Sequence, residues 1–316
     1  MVEIGQDIDR AEQLLRKGEV VGIPTETVYG LAGNALNEES ILKIYSVKNR
    51  PKFDPLIAHV DTLDKVKGLV DEIPEKAKIL AKKFWPGPLT ILLKKKRHVP
   101  DLLTSGLNRM AIRIPHHPIT QELLSKLDFP LAAPSANPFG YVSPTSAQHV
   151  ANQLGEQISY ILDGGDCEVG LESTIIGFED NDPVVYRLGG TKIEEIEGSI
   201  GSVRINVNMS SNPAAPGMLK SHYSPGRKIL LGNIEENLKD LDPNTTGIIS
   251  FQKEYDLPMK NLAVLSDTGD LNQAARNIFT ALRKMDQSHL KIILAEYLPE
   301  EGLGRAVNDR LRRASV

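Results

Sequence analysis

A break in texture between Asn206 and Gly226 sets the architecture of this chain. Ser210-Ser211-Asn212-Pro213-Ala214-Ala215-Pro216-Gly217 has two prolines and no apolar periodicity, so it reads as a linker between folded segments. The 316 residues also exceed what a single hydrophobic core usually serves. The expected division is 1–207, a linker at 208–226, and 227–316.

The two sides of the break differ in pattern. In the first, Asp7 to Lys17 predicts a helix, because Ile8, Ala11, Leu14 and Leu15 share one face and Gly18 follows. Glu38 to Val47 predicts another. Short apolar runs at Val20 to Ile23, Leu56 to Val60, Leu89 to Leu93, Met110 to Ile114, Leu131 to Ala133, Ser159 to Leu162, Thr174 to Gly177 and Val184 to Arg187 predict strands. This mixture implies an α/β fold with a twisted sheet. In the second, strand-like Lys228 to Leu231, Gly247 to Phe251, Leu262 to Leu265 and Lys291 to Ala295 alternate with helical residues, of which Leu271 to Met285 is the clearest run. That alternation predicts a small Rossmann-like parallel-sheet domain.

Several function classes are disfavoured by what the chain lacks. Its formal net charge of -4 argues against a dedicated grip on a phosphate backbone. A single cysteine, Cys167, allows no intramolecular disulfide. The first ten residues have no signal-peptide core, and no apolar run approaches the roughly 20 residues of a membrane span, so a cytoplasmic location is expected. Neither the P-loop nor the dinucleotide glycine fingerprint occurs, and no cysteine–histidine cluster has zinc spacing.

Four segments and a set of single residues are suited to chemistry. Lys48-Asn49-Arg50-Pro51 puts two cations at a helix end, where they suit phosphate oxygens or simply a solvated C-terminus. Pro134-Ser135-Ala136-Asn137-Pro138 follows a strand and is either a ligand loop or a turn. Asp163 to Ile175 has glycines at 164, 165 and 170, then Ser173 and Thr174. It reads as a ligand-lining loop or a plain connection. Arg113 and Arg187 lie in apolar strands and need a carboxylate or phosphate partner, from a ligand or from the chain itself. His59 sits in a strand as a structural group, a hydroxyl holder or a base. The linker end, Lys220-Ser221-His222-Tyr223-Ser224-Pro225, is richer in functional groups than a passive connection needs, as a lid would be.

Together these stretches resemble the YrdC-type threonylcarbamoyl-adenylate synthases in their long form. The resemblance is carried by Gly22 to Leu31, Lys48 to Pro51, Phe84 to Thr90, Arg113 to Pro115, Pro134 to Asn137, Glu172 to Thr174, Pro216 to Met218 and His222 to Pro225, with Gly302 to Leu311 as the closing motif. It implies a YrdC-like twisted open sheet with flanking helices in 1–207, and condensation of L-threonine, bicarbonate and ATP. By the same resemblance Lys48 and Arg50 serve the phosphates as the catalytic pair. Ser135, Asn137, Ser143, Arg187 and Tyr223 complete the ATP side. Arg113 pairs with the threonine carboxylate, and Thr27, His59 and Ser173 hold its amine or hydroxyl. Segment 208–226 would cover the site. Mg2+ is expected with ATP, held mostly by ATP itself. The product is expected to pass to a tRNA threonylcarbamoyltransferase, with weak or indirect tRNA contact and no membrane. Where the family usually has an asparagine near ATP, this chain has Asp54, placed on the ATP side by the resemblance; its charge would oppose phosphate, so either it touches ribose or metal or the loop sits differently. An RNA-binding module is the competing class, on the basic run Lys94 to His98. A carbamoyl-transfer maturation factor is the competing enzyme, although its acylphosphatase-like and zinc-finger segments are not visible.

Overall fold

Local rules place the first helices. Asp7 caps α1 (Ile8–Arg16) by accepting from the Arg10 amide, and Asn37 caps α2 (Glu38–Lys48) by accepting from the Glu39 and Ser40 amides. Helix α2 ends at Asn49 in the left-handed region, at φ 50°, a conformation asparagine tolerates better than most residues. Around these helices run β1 (Glu3–Gly5), β2 (Val21–Ile23), β3 (Gly30–Asn34) and β4 (Ile57–His59). The structure, a computed structural model, describes residues 2–207, 215–216, 226–256, 258–286 and 289–315.

Next come α3 (Leu63–Leu69), α4 (Glu75–Phe84), β5 (Leu89–Lys94), α5 (Asp101–Thr104), β6 (Arg109–Arg113), α6 (Pro118–Lys126), β7 (Leu131–Ala132) and α7 (Ala147–Leu154). The first part closes with β8 (Tyr160–Leu162), β9 (Thr174–Glu179), β10 (Asp182–Arg187), α8 (Ile193–Ile200) and β11 (Arg204–Ile205). Strands β1 to β11 form one mixed sheet in the order β1-β8-β2-β3-β7-β4-β6-β5-β9-β10-β11. Its central strands are buried along most of their length, as expected of a sheet covered on both faces.

Beyond the break lie β12 (Lys228–Leu231), α9 (Ile234–Leu238), β13 (Thr246–Ser250), β14 (Leu262–Val264), α10 (Leu271–Met285), β15 (Ile292–Ala295) and α11 (Gly304–Ala314). Their four strands pair in parallel in the order β12-β15-β13-β14, the small parallel sheet expected from the alternation. The expected cover at 208–226 falls mostly outside the described residues. Ala215 and Pro216 are described, and Ala215 is fully buried against Ile57, Leu92 and Ile175 of the larger sheet.

Some elements have no clear trace in the sequence. Strand β3 reads Gly-Leu-Ala-Gly-Asn, a poor strand by propensity, yet it is central in the sheet. Its small residues answer to packing, since a Cβ at Gly33 would come within 2.7 Å of the Ser40 hydroxyl on α2. Strand β1 is only three residues, Glu3-Ile4-Gly5, ordered by parallel pairing with β8 far along the chain.

Candidate functional site

The turn between β2 and β3 builds one wall of a cleft. Thr25 Oγ1 accepts from the amides of Thr27 and Val28 and donates to the Val28 carbonyl, so a polar segment is fixed in the protein interior. The Tyr29 amide and carbonyl then bond to Pro144 and Ala136, and Gly30 bridges to Ser135. The cleft includes Thr27, Arg50, His59, Arg113, Ser135, Ser173 and Arg187 in its lining. All seven are residues expected at the site, brought together from seven different elements and loops. Thr25 and Glu172 also line it, though no role was expected of either, and Pro216 lines it from the segment expected to cover the site.

Strand pairing explains one group. His59 on β4 is the register partner of Arg113 on β6. Arg113 donates Nη1 to Thr27 Oγ1 at 2.9 Å and Nε to the Gly87 carbonyl at 3.0 Å. Its Nη2 lies 2.6 Å from Glu26 Oε1, and both residues are buried. The intramolecular carboxylate weighed for Arg113 therefore exists, and the arginine lines the cleft as well. His59 is pushed down to about 3 by burial and by Arg113, with the Ile57 carbonyl opposing. A ring that basic only near pH 3 is a weak base at neutral pH. That disfavours proton abstraction and leaves the structural and hydroxyl-holding roles.

A second group centres on Ser173. Arg187 donates Nε to the Ser173 carbonyl at 2.9 Å and Nη2 to its hydroxyl at 3.0 Å, and Thr90 Oγ1 lies 2.7 Å from the same hydroxyl. The residue before it, Glu172, accepts from the Ser143 hydroxyl at 2.6 Å and from Arg310 Nε at 2.9 Å. Burial would raise the Glu172 carboxyl, but Arg310, Arg187 and Ser143 outweigh it and pull it down to about 2. Ser143 is thus buried beneath the lining and reaches the cleft through Glu172.

The cationic helix end resolves differently from expectation. Arg50 lines the cleft, with Nη2 2.8 Å from Asp54 Oδ2 and donors to the Asp54 and Pro55 carbonyls. Asp54 is therefore the counter-ion of Arg50, fully buried, and lies outside the lining. Lys48 is also outside it. Its Nζ donates to the Ser135 and Asn137 carbonyls at 2.6 and 2.5 Å, and burial drives its pKa well below the ordinary value. Lys48 ties the 134–138 loop to α2 through these bonds. Asn137 is buried too, its Nδ2 donating to the Pro138 and Tyr141 carbonyls while Oδ1 has no hydrogen-bond partner among the described residues. Tyr223 lies outside the described residues.

The glycine-bearing loop divides between the two readings. Glu172 and Ser173 line the cleft, whereas Gly170, at φ 71°, packs where a Cβ would meet the Arg276 backbone on α10 at 2.5 Å. Cys167 is buried and its thiol is pushed up by burial, which makes it an inert packed group. In the basic run, Lys94 pairs with Asp71, Lys95 with Asp101, and Lys96 bonds the Lys67 carbonyl, the behaviour of an ordinary solvated face.

Known proteins resemble this chain along its full length. Residues 13–189 match the Sua5, YciO and YrdC family model, which carries the description telomere recombination. Residues 191–316 match the model of the threonylcarbamoyl-AMP synthase C-terminal domain. A threonylcarbamoyl-AMP synthase of Pyrococcus abyssi is 41% identical over 96% of this chain and 93% of its own length. One from Bacillus subtilis is 38% identical over 98% and 92%. The crystal structure of P. abyssi Sua5 complexed with L-threonine superposes with a TM-score of 0.93 at 39% identity, covering 100% of this chain and 97% of that one.

Proposed function

This chain belongs to the Sua5/YrdC family in its long, threonylcarbamoyl-AMP synthase form, and from that premise we propose how its cleft runs the reaction. The enzyme joins L-threonine, bicarbonate and ATP. The threonine amine takes up the carbon of bicarbonate with loss of water, giving a carbamate. A carbamate oxygen then bonds to the α-phosphorus of ATP, the bond to the β-phosphate oxygen breaks, and pyrophosphate leaves. Threonylcarbamoyl-AMP is the activated group for threonylcarbamoyladenosine formation in tRNA. Such a transfer needs positioning and cations more than a covalent nucleophile.

The observation that carries our assignment is the convergence of Arg50, Arg113 and Arg187 on one cleft with Thr27, His59, Ser135 and Ser173. We assign Arg50 and Arg187 to the ATP phosphates and Ser135 to a hydrogen bond with the nucleotide. Arg113 takes the threonine carboxylate, held in aim by Glu26, Gly87 and Thr27. Thr27, His59 and Ser173 take the amine and hydroxyl. Lys48 acts through the 134–138 loop, Asp54 through Arg50, and Ser143 through Glu172. The unpartnered Asn137 Oδ1 suits a donor from the nucleotide.

Carboxylates near the cleft do not offer a metal cage. Glu26, Asp54 and Glu172 are each committed to an arginine, and among the described residues no group of three potential ligands forms. We therefore read Mg2+ as arriving on ATP, and no step depends on a protein-held ion. Carbamate and mixed anhydride both decompose in water, so the site needs a cover. Segment 208–226, including Tyr223, is our candidate, because Pro216 lines the cleft and Ala215 is anchored in the sheet. The proposed division is thus 1–207 for chemistry, 208–226 for cover and 227–316 as the C-terminal unit. A labile product also favours nearby handover to a tRNA threonylcarbamoyltransferase, in the cytoplasm.

Pyrophosphate release by the purified enzyme tests this reading. Release should require both L-threonine and bicarbonate, and Arg187→Met should reduce it by about 100-fold, on the scale of losing one charge-stabilising donor. Release that ignores threonine, or an Arg187→Met enzyme as fast as the parent, would sink the assignment.

A further inference from the structure

The last helix of the chain reaches the cleft. Arg310 on α11 is fully buried, and its three nitrogens have three different partners. Nε donates to Glu172 Oε2 at 2.9 Å, Nη2 to the Leu188 carbonyl at 2.8 Å, and Nη1 to Asp309 Oδ2 at 2.6 Å. Asp309 is in turn bonded by Arg313 at 3.0 Å. Arg310 thus enters the larger unit as a cation whose neighbouring acid is already shared with another arginine. The carboxylate it meets is Glu172, which lines the cleft and accepts from Ser143 with its other oxygen.

We propose that Arg310 is a positioning residue of the active site: it holds the Glu172 carboxylate so that Ser143 and the 172–173 backbone keep their places on the nucleotide side. The proposal rests on the synthase reading for which ligand the cleft takes. It gives the C-terminal unit a part in catalysis without touching substrate. Two physical points support it. Glu172 is 6% exposed, and a buried carboxylate without its ionic partner is strongly unfavourable. The larger unit offers Arg187 as a rival partner, since both arginines act electrostatically on Glu172. With Arg310 removed, Glu172 would turn toward Arg187 and compete with the two bonds that Arg187 makes to Ser173.

Helix α10 works on the same region from another side. Arg283 donates to the Val142 carbonyl and stacks over the Tyr141 ring, whose hydroxyl bonds Asp286. The segment carrying Ser143 is therefore held by two helices of the C-terminal unit.

The test uses the full-length enzyme and Arg310→Met, Arg310→Lys, Glu172→Gln and the double variant Glu172→Gln/Arg310→Met. In Arg310→Met the KM for ATP should rise about tenfold, equivalent to about 1.4 kcal/mol, while the calorimetric Kd for L-threonine stays within about threefold. Lysine at 310 should restore part of the ATP affinity. The double variant should bind ATP better than Arg310→Met alone, because the uncompensated carboxylate is gone. An unchanged KM for ATP, or losses that simply add in the double variant, would overturn the proposal. Equal loss of ATP and threonine binding would also overturn it, by marking Arg310 as a general stability element. Should Arg310→Met fail to fold by circular dichroism, Glu172→Gln carries the test, with parental ATP affinity as the overturning result. A parent enzyme that binds ATP without threonine-dependent pyrophosphate release would defeat the synthase reading instead, and the ATP affinities would still decide the role of Arg310.

Discussion

Asp54 shows how one residue type changes the meaning of a site. Its carboxylate lies beside Arg50, so it offsets the charge that the cleft presents at that point. Asp54→Asn should lower the KM for ATP by about two- to fivefold while destabilising the ligand-free enzyme, since a buried arginine loses its counter-ion. Thermal shift assays should then find that ATP stabilises this variant more than the parent. A higher KM for ATP would mean that Asp54 acts by orienting Arg50. Acid pH adds a second residue-scale test. His59 sits far below its ordinary value of 6.5, at about 3, and Glu172 far below 4.5, at about 2. Both shifts are downward, so the unfolded chain binds more protons through those windows and stability falls as pH falls. The loss from His59 begins below about pH 6.5 and that from Glu172 below about 4.5. Urea midpoints should drop from pH 7 toward pH 3, and His59→Gln should flatten the part between 6.5 and 4.5. An unaltered slope there would show that His59 is free to protonate in the folded state.

Helix α2 carries the elements' logic. Its N-terminus is capped by Asn37, its last residue is Lys48, and its left-handed exit at Asn49 directs the chain into Arg50. That exit aligns one residue beneath the 134–138 loop and another on the cleft. Asn49→Gly should leave activity near the parental level, because glycine adopts positive φ without strain. Asn49→Val should cost about 1–2 kcal/mol in urea melts and reduce pyrophosphate release, because a β-branched residue resists this conformation. Equal stability of the two variants would show that the helix can end another way.

Across the whole molecule, helices α10 and α11 join the C-terminal unit to the larger one through ionic and polar contacts beside a shared apolar core. Arg310 joins Glu172, Arg305 joins Glu194, Arg276 bonds the Glu168 carbonyl and Arg283 the Val142 carbonyl. Because some of these contacts are buried, separating the units would strand charges. Calorimetry should therefore find a single unfolding transition with matching calorimetric and van't Hoff enthalpies. Two resolved peaks would show that the units unfold independently.

What the sequence determined by itself is what local rules govern. The alternating runs marked the strands of the small parallel sheet, and the ordered motifs marked the family. Arg113 and Arg187 stood out because a charge in an apolar strand demands a partner. Which partner each takes was decided only in three dimensions. Nothing near Lys48 in sequence announces that its ammonium will be buried under two carbonyls of the 134–138 loop. Nor does the closing motif reveal that Arg310 crosses 138 positions to meet Glu172. Periodicity and capping act within a few residues, whereas the pairing of buried charges depends on which strands and helices the packed core makes neighbours.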